Sequence, residues 1–235
     1  MSRHTQNLPA LEALRSEIDA LDDQILALIE RRVAVARKVA HAKDPAQSVA
    51  LVRPDREEQV IDRLSALSTM PRGSLATVWR ELMALSLQAQ RRTDIVIHAP
   101  TDPSGTTARS AARFGAAAPI VAVDSVEAAL ARARTGSAVA VIELSRSDPW
   151  WLALDRDDGL AVIEQLRGPG DKPSALALAR VSDASLARAR RWEVLADSEF
   201  ETRLRYGETL FPLACSHAKV LCIVEDVAVQ LKGAA

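Results

Sequence analysis

Five polar side chains occupy places where the surrounding pattern asks for apolar ones: Arg32, Lys43, Arg56, Ser86 and Gln90. Three are cations and two are neutral hydrogen-bonding groups. A cation set into an apolar face is costly unless it meets an anion. The set therefore points to a negatively charged ligand held between helices. Four histidines, His4, His41, His98 and His217, are scattered, and no histidine-based catalytic constellation can be read from them. Cys215 and Cys222 fit no metal spacing and read as core residues. The chemistry on offer is electrostatic: binding, orienting and charge stabilisation.

The element that must carry the first two cations runs over residues 11–43. Pro9 precedes it, Pro45 follows it, and neither Pro nor Gly interrupts it. Apolar residues recur at Leu11, Leu14, Ile18, Leu21, Ile25, Leu28, Val35 and Val39, alternating by three and four. That is the stripe of one amphipathic helix, roughly 50 Å long at about 1.5 Å per residue. Arg32 interrupts the stripe between Leu28 and Val35, and Lys43 lies further along the same face. A helix of this length cannot bury its stripe alone, so it must pack on other helices, including those of a second chain.

Two further helices are expected. Pro54 suits the first turn of the second, whose apolar face runs through Val60, Leu64 and Leu67. Arg56 opens that face at the positive end of the helix dipole, a local inconsistency of the kind that marks functional positions. After a turn at 68–73, Ser74 can cap a third helix reaching about Arg92. Leu75, Val78, Leu82, Leu85 and Ala89 form one of its stripes; Trp79, Met83, Ser86 and Gln90 form the neighbouring one. Arg15 flanks the stripe of the first helix, about 25 Å along the axis from Arg32. One small molecule cannot touch both within one chain. Two antiparallel copies of the helix would bring Arg15 of one beside Arg32 of the other, so a functional Arg15 requires an intertwined homodimer.

The runs LEALRSEIDALDDQILALIERRVAVARKVAHAK, PDREEQVIDRL and WRELMALSLQAQ resemble the all-helical AroQ-type chorismate mutases, particularly the mutase domain fused to prephenate dehydratases. The resemblance covers residues 8–92. It implies a three-helix subunit in an interlaced dimer whose substrate is chorismate. Arg15 (from the partner chain), Arg32 and Arg56 resemble the arginines that bind chorismate's two carboxylates. Lys43 and Gln90 resemble the pair that hydrogen-bonds the ether oxygen. Glu57 resembles the residue that holds the ring hydroxyl, and Ser86 lines the pocket. Where many members carry Asp, three residues before Arg56, this chain has Arg53. The implied reaction is a concerted [3,3] rearrangement to prephenate, which requires no nucleophile, proton transfer, metal or cofactor. It does require the arms to be clamped and the developing ether-oxygen charge to be stabilised.

Composition changes near Arg92: eight of the nine glycines follow it. A domain boundary is expected at 91–93, with a helical domain over 8–92 and an α/β domain over 93–235. Strands are expected at 94–100, 119–124, 138–144, 160–166, 174–181 and 219–227, and helices at 108–114, 126–134 and 184–192. APTDPSGTTARSAARFG and VDSVEAALARARTGSAVAVIELS resemble the opening of a prephenate dehydratase domain, a periplasmic-binding-protein-like fold. The Thr-Arg-Phe motif of that family would fall near 174–176, where Ser174, Ala175 and Leu176 stand. The resemblance thus implies a degenerate dehydratase-like domain. Trp150 and Trp151 are expected to pack in a core. The alternatives are a bifunctional mutase–dehydratase, a lyase that splits isochorismate, and a non-catalytic helical dimerisation module. The last predicts apolar residues at the five polar positions. A formal net charge of −1 excludes a general affinity for nucleic acid or anionic membranes. The N-terminus lacks the apolar core of a signal peptide, and a cytoplasmic location is expected.

Overall fold

A computed structural model of the chain describes residues 8–42, 52–145, 148–154, 159–181 and 192–224. Helix α1 (Leu8–Ala42) matches the expected long helix, with Pro9 in its first turn. Helices α2 (Pro54–Ser65) and α3 (Arg72–Gln90) follow. Pro71 rather than Ser74 precedes the first turn of α3, so Ser74 is inside the helix and is not its cap. Lys43 lies outside the described residues.

The two ends of α1 differ sharply. Residues 10–28 are all exposed, and their apolar stripe is bare: Leu14 is 57 % exposed, Ile18 56 % and Leu28 63 %. Further along, α1 packs on α3. There Ile29, Arg32, Val33, Ala36 and Ala40 are wholly or partly buried, at helical spacing. The face that meets this chain's own α3 is therefore not the stripe of leucines and isoleucines but one offset from it. Helix α2 docks through Ile61, which is fully buried with Leu75 and Ala76 and flanked by Leu64, Trp79 and Met83. The expected stripe of α2 is shifted accordingly. Leu67 lies beyond the helix and is exposed, as are Val78 and Leu85 on α3.

The chain then becomes a mixed α/β domain. Strands β1 (Asp94–His98), β2 (Ile120–Ala122), β3 (Ala138–Glu143), β4 (Leu160–Arg167) and β5 (Pro173–Arg180) form one sheet in the order β2-β1-β3-β5-β4. β1 pairs in parallel with β2 and β3, whereas β5 runs antiparallel to both its neighbours. Helix α4 (Pro103–Phe114) connects β1 to β2, and α5 (Val126–Arg134) connects β2 to β3. Asp102 and Ser125 cap these helices by accepting from the Gly105 and Ala128 amides.

Between their ends the central strands are apolar and buried because both sheet faces are covered. One face carries Val96, Ala140, Ile142, Leu176 and Leu178 under α5 residues, with Trp150, Trp151 and Trp192 packed into the same core. The other carries Ile95, Ile97, Val139, Val141, Ala175 and Ala177 beneath Phe114 of α4, with Val52 and Leu87 from the helical part. Trp150 and Trp151 thus pack as expected.

A second, three-stranded antiparallel sheet, β6 (Trp192–Ala196), β7 (Leu210–Ser216) and β8 (Lys219–Val224), has the order β6-β8-β7, with α6 (Asp197–Arg205) after β6. β6, α6 and β7 were not expected. The helix expected at 184–192 falls outside the described residues except for Trp192, which opens β6, and the expected end of the last strand at 225–227 is also outside. Cys222 is buried, but Cys215 is exposed on β7 and is not a core residue. Among the described residues, no group of three or more His, Cys, Asp or Glu side chains could hold a metal. No described helix is long and apolar enough to cross a membrane.

Candidate active site

A cavity of about 380 Å³ opens where α1, α2, α3 and α4 converge, a size that suits a small metabolite. Its lining includes Arg32, Arg56, Glu57, Ser86 and Gln90. The structure therefore brings together five of the seven residues singled out from the sequence. Arg53, Arg80 and Arg113 also line it, so five arginines surround one carboxylate. Val39, Val52, Val60, Met83, Leu87 and Phe114 form the apolar wall. Such a site favours an anionic ligand with an apolar body.

Each helix contributes through its own spacing. Arg32 sits on the packed face of α1 and donates from Nη1 to the Leu82 carbonyl of α3 at 2.5 Å and to Ser86 Oγ. Burial pulls its guanidinium below the ordinary value. Ser86, itself buried, donates to the Leu82 carbonyl at 2.9 Å. One turn on, Gln90 Nε2 donates to the Ser86 carbonyl at 3.3 Å. On α2, Arg56 is exposed and reaches Gln59 Oε1 at 3.4 Å. Next to it Glu57 turns inward and accepts from Arg113 Nη1 at 2.7 Å.

Glu57 is the electrostatic centre of this wall. Burial pushes its carboxyl up; Arg113 and Arg80 oppose that shift, and Glu164 adds to it. Burial also works against the charge on Arg113, but Glu57 and Glu164 outweigh it and hold the guanidinium above its ordinary value. The next residue of α2, Glu58, is reached by both Arg72 and Arg80, at 2.7 and 3.0 Å. Arg80 is thus tied down beside the cavity, with its buried Nε unpaired.

Two of the seven residues are not brought in. Arg15 lies in the bare half of α1, where its Nη1 is 2.6 Å from Glu12 Oε1, and it does not line the cavity of its own chain. Lys43, outside the described residues, is not placed. Sequence reasoning missed Arg113 and Phe114, which reach the cavity from the α/β part. One signal was available: Glu164 is the acidic residue in the mostly apolar run LAVIEQL, where a cationic partner is called for.

Residues 14–91 match the family described as chorismate mutase type II. The chain is 33 % identical over 127 residues to a bifunctional chorismate mutase/prephenate dehydratase of Stutzerimonas stutzeri, covering 49 % of this chain and 34 % of that protein. It is 31 % identical over 146 residues to its counterpart in Pseudomonas aeruginosa, covering 57 % of this chain and 39 % of that one. An intracellular chorismate mutase of Mycobacterium tuberculosis is 41 % identical over 63 residues, 27 % of this chain and 59 % of that protein. The chain spans between about a third and three fifths of the length of these relatives. No solved structure matches it significantly. The N-terminal helical region is a chorismate mutase type II domain, and the likeness to the bifunctional proteins continues past it into the α/β domain.

Proposed function

We propose that this chain is a chorismate mutase that converts chorismate to prephenate and works as a homodimer. The observation that carries this reading is the arginine-lined cavity, formed at the three helices that match the mutase family. Chorismate carries two carboxylates and an apolar ring, and the cavity offers Arg32 and Arg56 on one side of an apolar wall. Arginine–carboxylate forks hold the enolpyruvyl arm over the ring. Gln90 and Lys43 donate to the ether oxygen as its bond to the ring breaks, and so bind the transition state more tightly than the substrate. Ser86 orients Arg32, and Glu57 accepts from the ring hydroxyl. Arg53, where many relatives of this type have Asp, adds a cation to that side.

The dimer follows from two features. The bare stripe over residues 10–28 of α1 is a large apolar surface of the kind that marks an interaction site. Arg15 stands on the same half of the helix. Antiparallel packing of two α1 helices covers the stripe and carries Arg15 into the partner's cavity.

The α/β domain acts as a degenerate dehydratase-like domain. At the position of the dehydratase motif, Ala175 and Leu176 are fully buried in β5, and the Ser174 hydroxyl donates to the Leu166 carbonyl at 3.0 Å. These side chains present no acid to a substrate. The boundary between the two functional units lies at 91–93, between the end of α3 and the start of β1.

The test is to incubate the protein with chorismate and identify products with and without acid treatment. Prephenate that becomes phenylpyruvate only after acid is the expected result. Phenylpyruvate without acid would assign a working dehydratase. Salicylate and pyruvate from isochorismate would assign the lyase. Absence of turnover would overturn the mutase.

A further inference from the structure

The mutase-type cavity is not closed by its three helices alone. Arg113 is the penultimate residue of α4, in the α/β domain, and is 9 % exposed. It spans two carboxylates, with Nη1 2.7 Å from Glu57 Oε2 and Nε 2.5 Å from Glu164 Oε2. Its guanidinium carbon lies 5.2 Å from the centre of the neighbouring Phe114 ring. Both Arg113 and Phe114 line the cavity.

Three features aim this arginine. The register of β4 against β5 slips between Val162 and Glu164, so that Glu164 rather than Ile163 stands opposite Ala177. Ala177 faces α4, so the bulge turns an acidic side chain onto the face where α4 lies. Gly115 ends α4 with φ +82°, and a Cβ there would stand 2.4 Å from Cβ of Ala84 on α3. Only glycine permits that approach. Beyond it, both carboxylate oxygens of Glu81 on α3 accept from backbone amides, of Ala116 at 2.8 Å and of Ala117 at 3.1 Å.

We propose that Arg113 is a positioning residue of the mutase site: it holds Glu57 by one carboxylate oxygen and leaves the other for the substrate's ring hydroxyl. The inference rests on the mutase reading and deepens it, because the α/β domain then builds part of the site even without chemistry of its own. Oε2 of Glu57 is engaged by Arg113, while Oε1 has no hydrogen-bond partner among the described residues. A side chain locked in this way loses little freedom when substrate arrives.

The charges around Glu57 fix the sign of the test. Arg113 of α4 and Arg80 of α3 favour its ionised form and Glu164 of β4 opposes it; Arg32 of α1 and Arg53 and Arg56 at the start of α2 line the same cavity. Activity that needs an ionised Glu57 is lost as pH falls through its raised pKa. Arg113→Met removes a favourable charge and should move the acid limb of kcat/KM upward. Glu164→Gln removes an unfavourable charge, keeps a hydrogen-bond acceptor, and should move that limb downward. Opposite shifts are not what a loosened domain contact produces.

The experiment measures kcat, KM and their pH dependence with chorismate for the full chain, Arg113→Met, Arg113→Lys, Glu164→Gln and Glu81→Gln. The Glu57 carboxyl is titrated in parallel by NMR without substrate. Arg113→Met is expected to lower kcat/KM about tenfold or more at neutral pH, the scale of a hydrogen bond to a charged group, and Arg113→Lys to recover part of it. Glu81→Gln loosens the same domain contact without touching Glu57 and should leave the pH profile in place. The inference is overturned if Arg113→Met and Glu81→Gln behave alike. It is also overturned if Glu164→Gln and Arg113→Met shift Glu57 in the same direction or not at all. If the unaltered chain does not turn over chorismate while Glu57 titrates as described, the mutase reading fails and the positioning role falls with it. A normal turnover with an unmoved Glu57 sinks the positioning role alone.

Discussion

The apolar residues of the five-stranded sheet and those of α1 have opposite fates. Val139, Val141, Ile142, Leu176 and Leu178 are all fully buried within one chain, whereas Ile18, Leu21, Ile25 and Leu28 are more than half exposed. Hydrophobic type alone does not separate the two groups. The sheet is sealed on one face by α5 and the tryptophans and on the other by α4 and α3. The N-terminal half of α1 has no such cover. The sheet is therefore a finished core, while α1, in the dimer proposed above, is one side of an interface. At about 25 cal/mol per Å², covering that stripe is a large stabilisation left unused by a single chain.

This contrast can be broken from either side. The largest effect is expected from the double change Ile18→Asp and Ile25→Asp. It should abolish association, seen by sedimentation, and reduce turnover by about a hundredfold or more if Arg15 and its clamp are lost with the partner. The β signal in circular dichroism should persist. A monomer that keeps full activity would mean that Arg15 has no part in the site. Gln90→Ala and Lys43→Ala each probe the chemistry and not the assembly. Each should lower kcat by on the order of a hundredfold, with unchanged association, since one donor to a developing oxyanion contributes about 3–4 kcal/mol.

Ile142→Ala reverses the pattern. It empties a fully buried site in the sheet and should cost about 2–5 kcal/mol of stability, read from denaturant unfolding, with kcat retained. Gly115→Ala should cost about 1–3 kcal/mol, since it combines a positive φ with overpacking against Ala84. Its mark should be a loosened contact between the helical and α/β parts, read by limited proteolysis. The smallest effect belongs to Glu12→Gln. The Arg15–Glu12 pair is on an exposed helix surface, and such pairs contribute about 0.5 kcal/mol or less, so thermal unfolding should barely move.

How legible each part was follows from the same physics. The long uninterrupted period of α1, the Pro at the start of α2 and the β-branched runs DIVIH and AVAVIE announce their elements. They are long or strongly patterned, and tertiary packing agrees with local preference. The second sheet was harder. WEVLA follows an alanine-rich run and carries a charge, while DSEFETRLR has little apolar content to reveal a face. The three-residue separation of Ser74 from Pro71 defeated the expected cap, because proline at the helix entrance took that place. In the site, Arg32, Arg56, Glu57, Ser86 and Gln90 were legible because each violates or punctuates a helical pattern. Arg113 was not. Its partners, Glu57 and Glu164, lie 56 and 51 positions away along the chain, and an arginine near the end of a helix is locally unremarkable.

The slip in β4 gives strand length an unexpected meaning. In most strands one residue more or less near an edge is absorbed by the adjoining loop. Here the extra residue at Ile163 sets which way Glu164 points, and through Arg113 that direction reaches Glu57 on the far side of α4. Deleting Gln165 would let the ladder straighten with Ile163 opposite Ala177 and Glu164 opposite Leu176, and so swing the acid to the opposite face. A single-codon deletion in a strand of the α/β domain would thus be felt in a cavity built mainly by helices. Any exchange of this α/β part for another must preserve that register as well as its core.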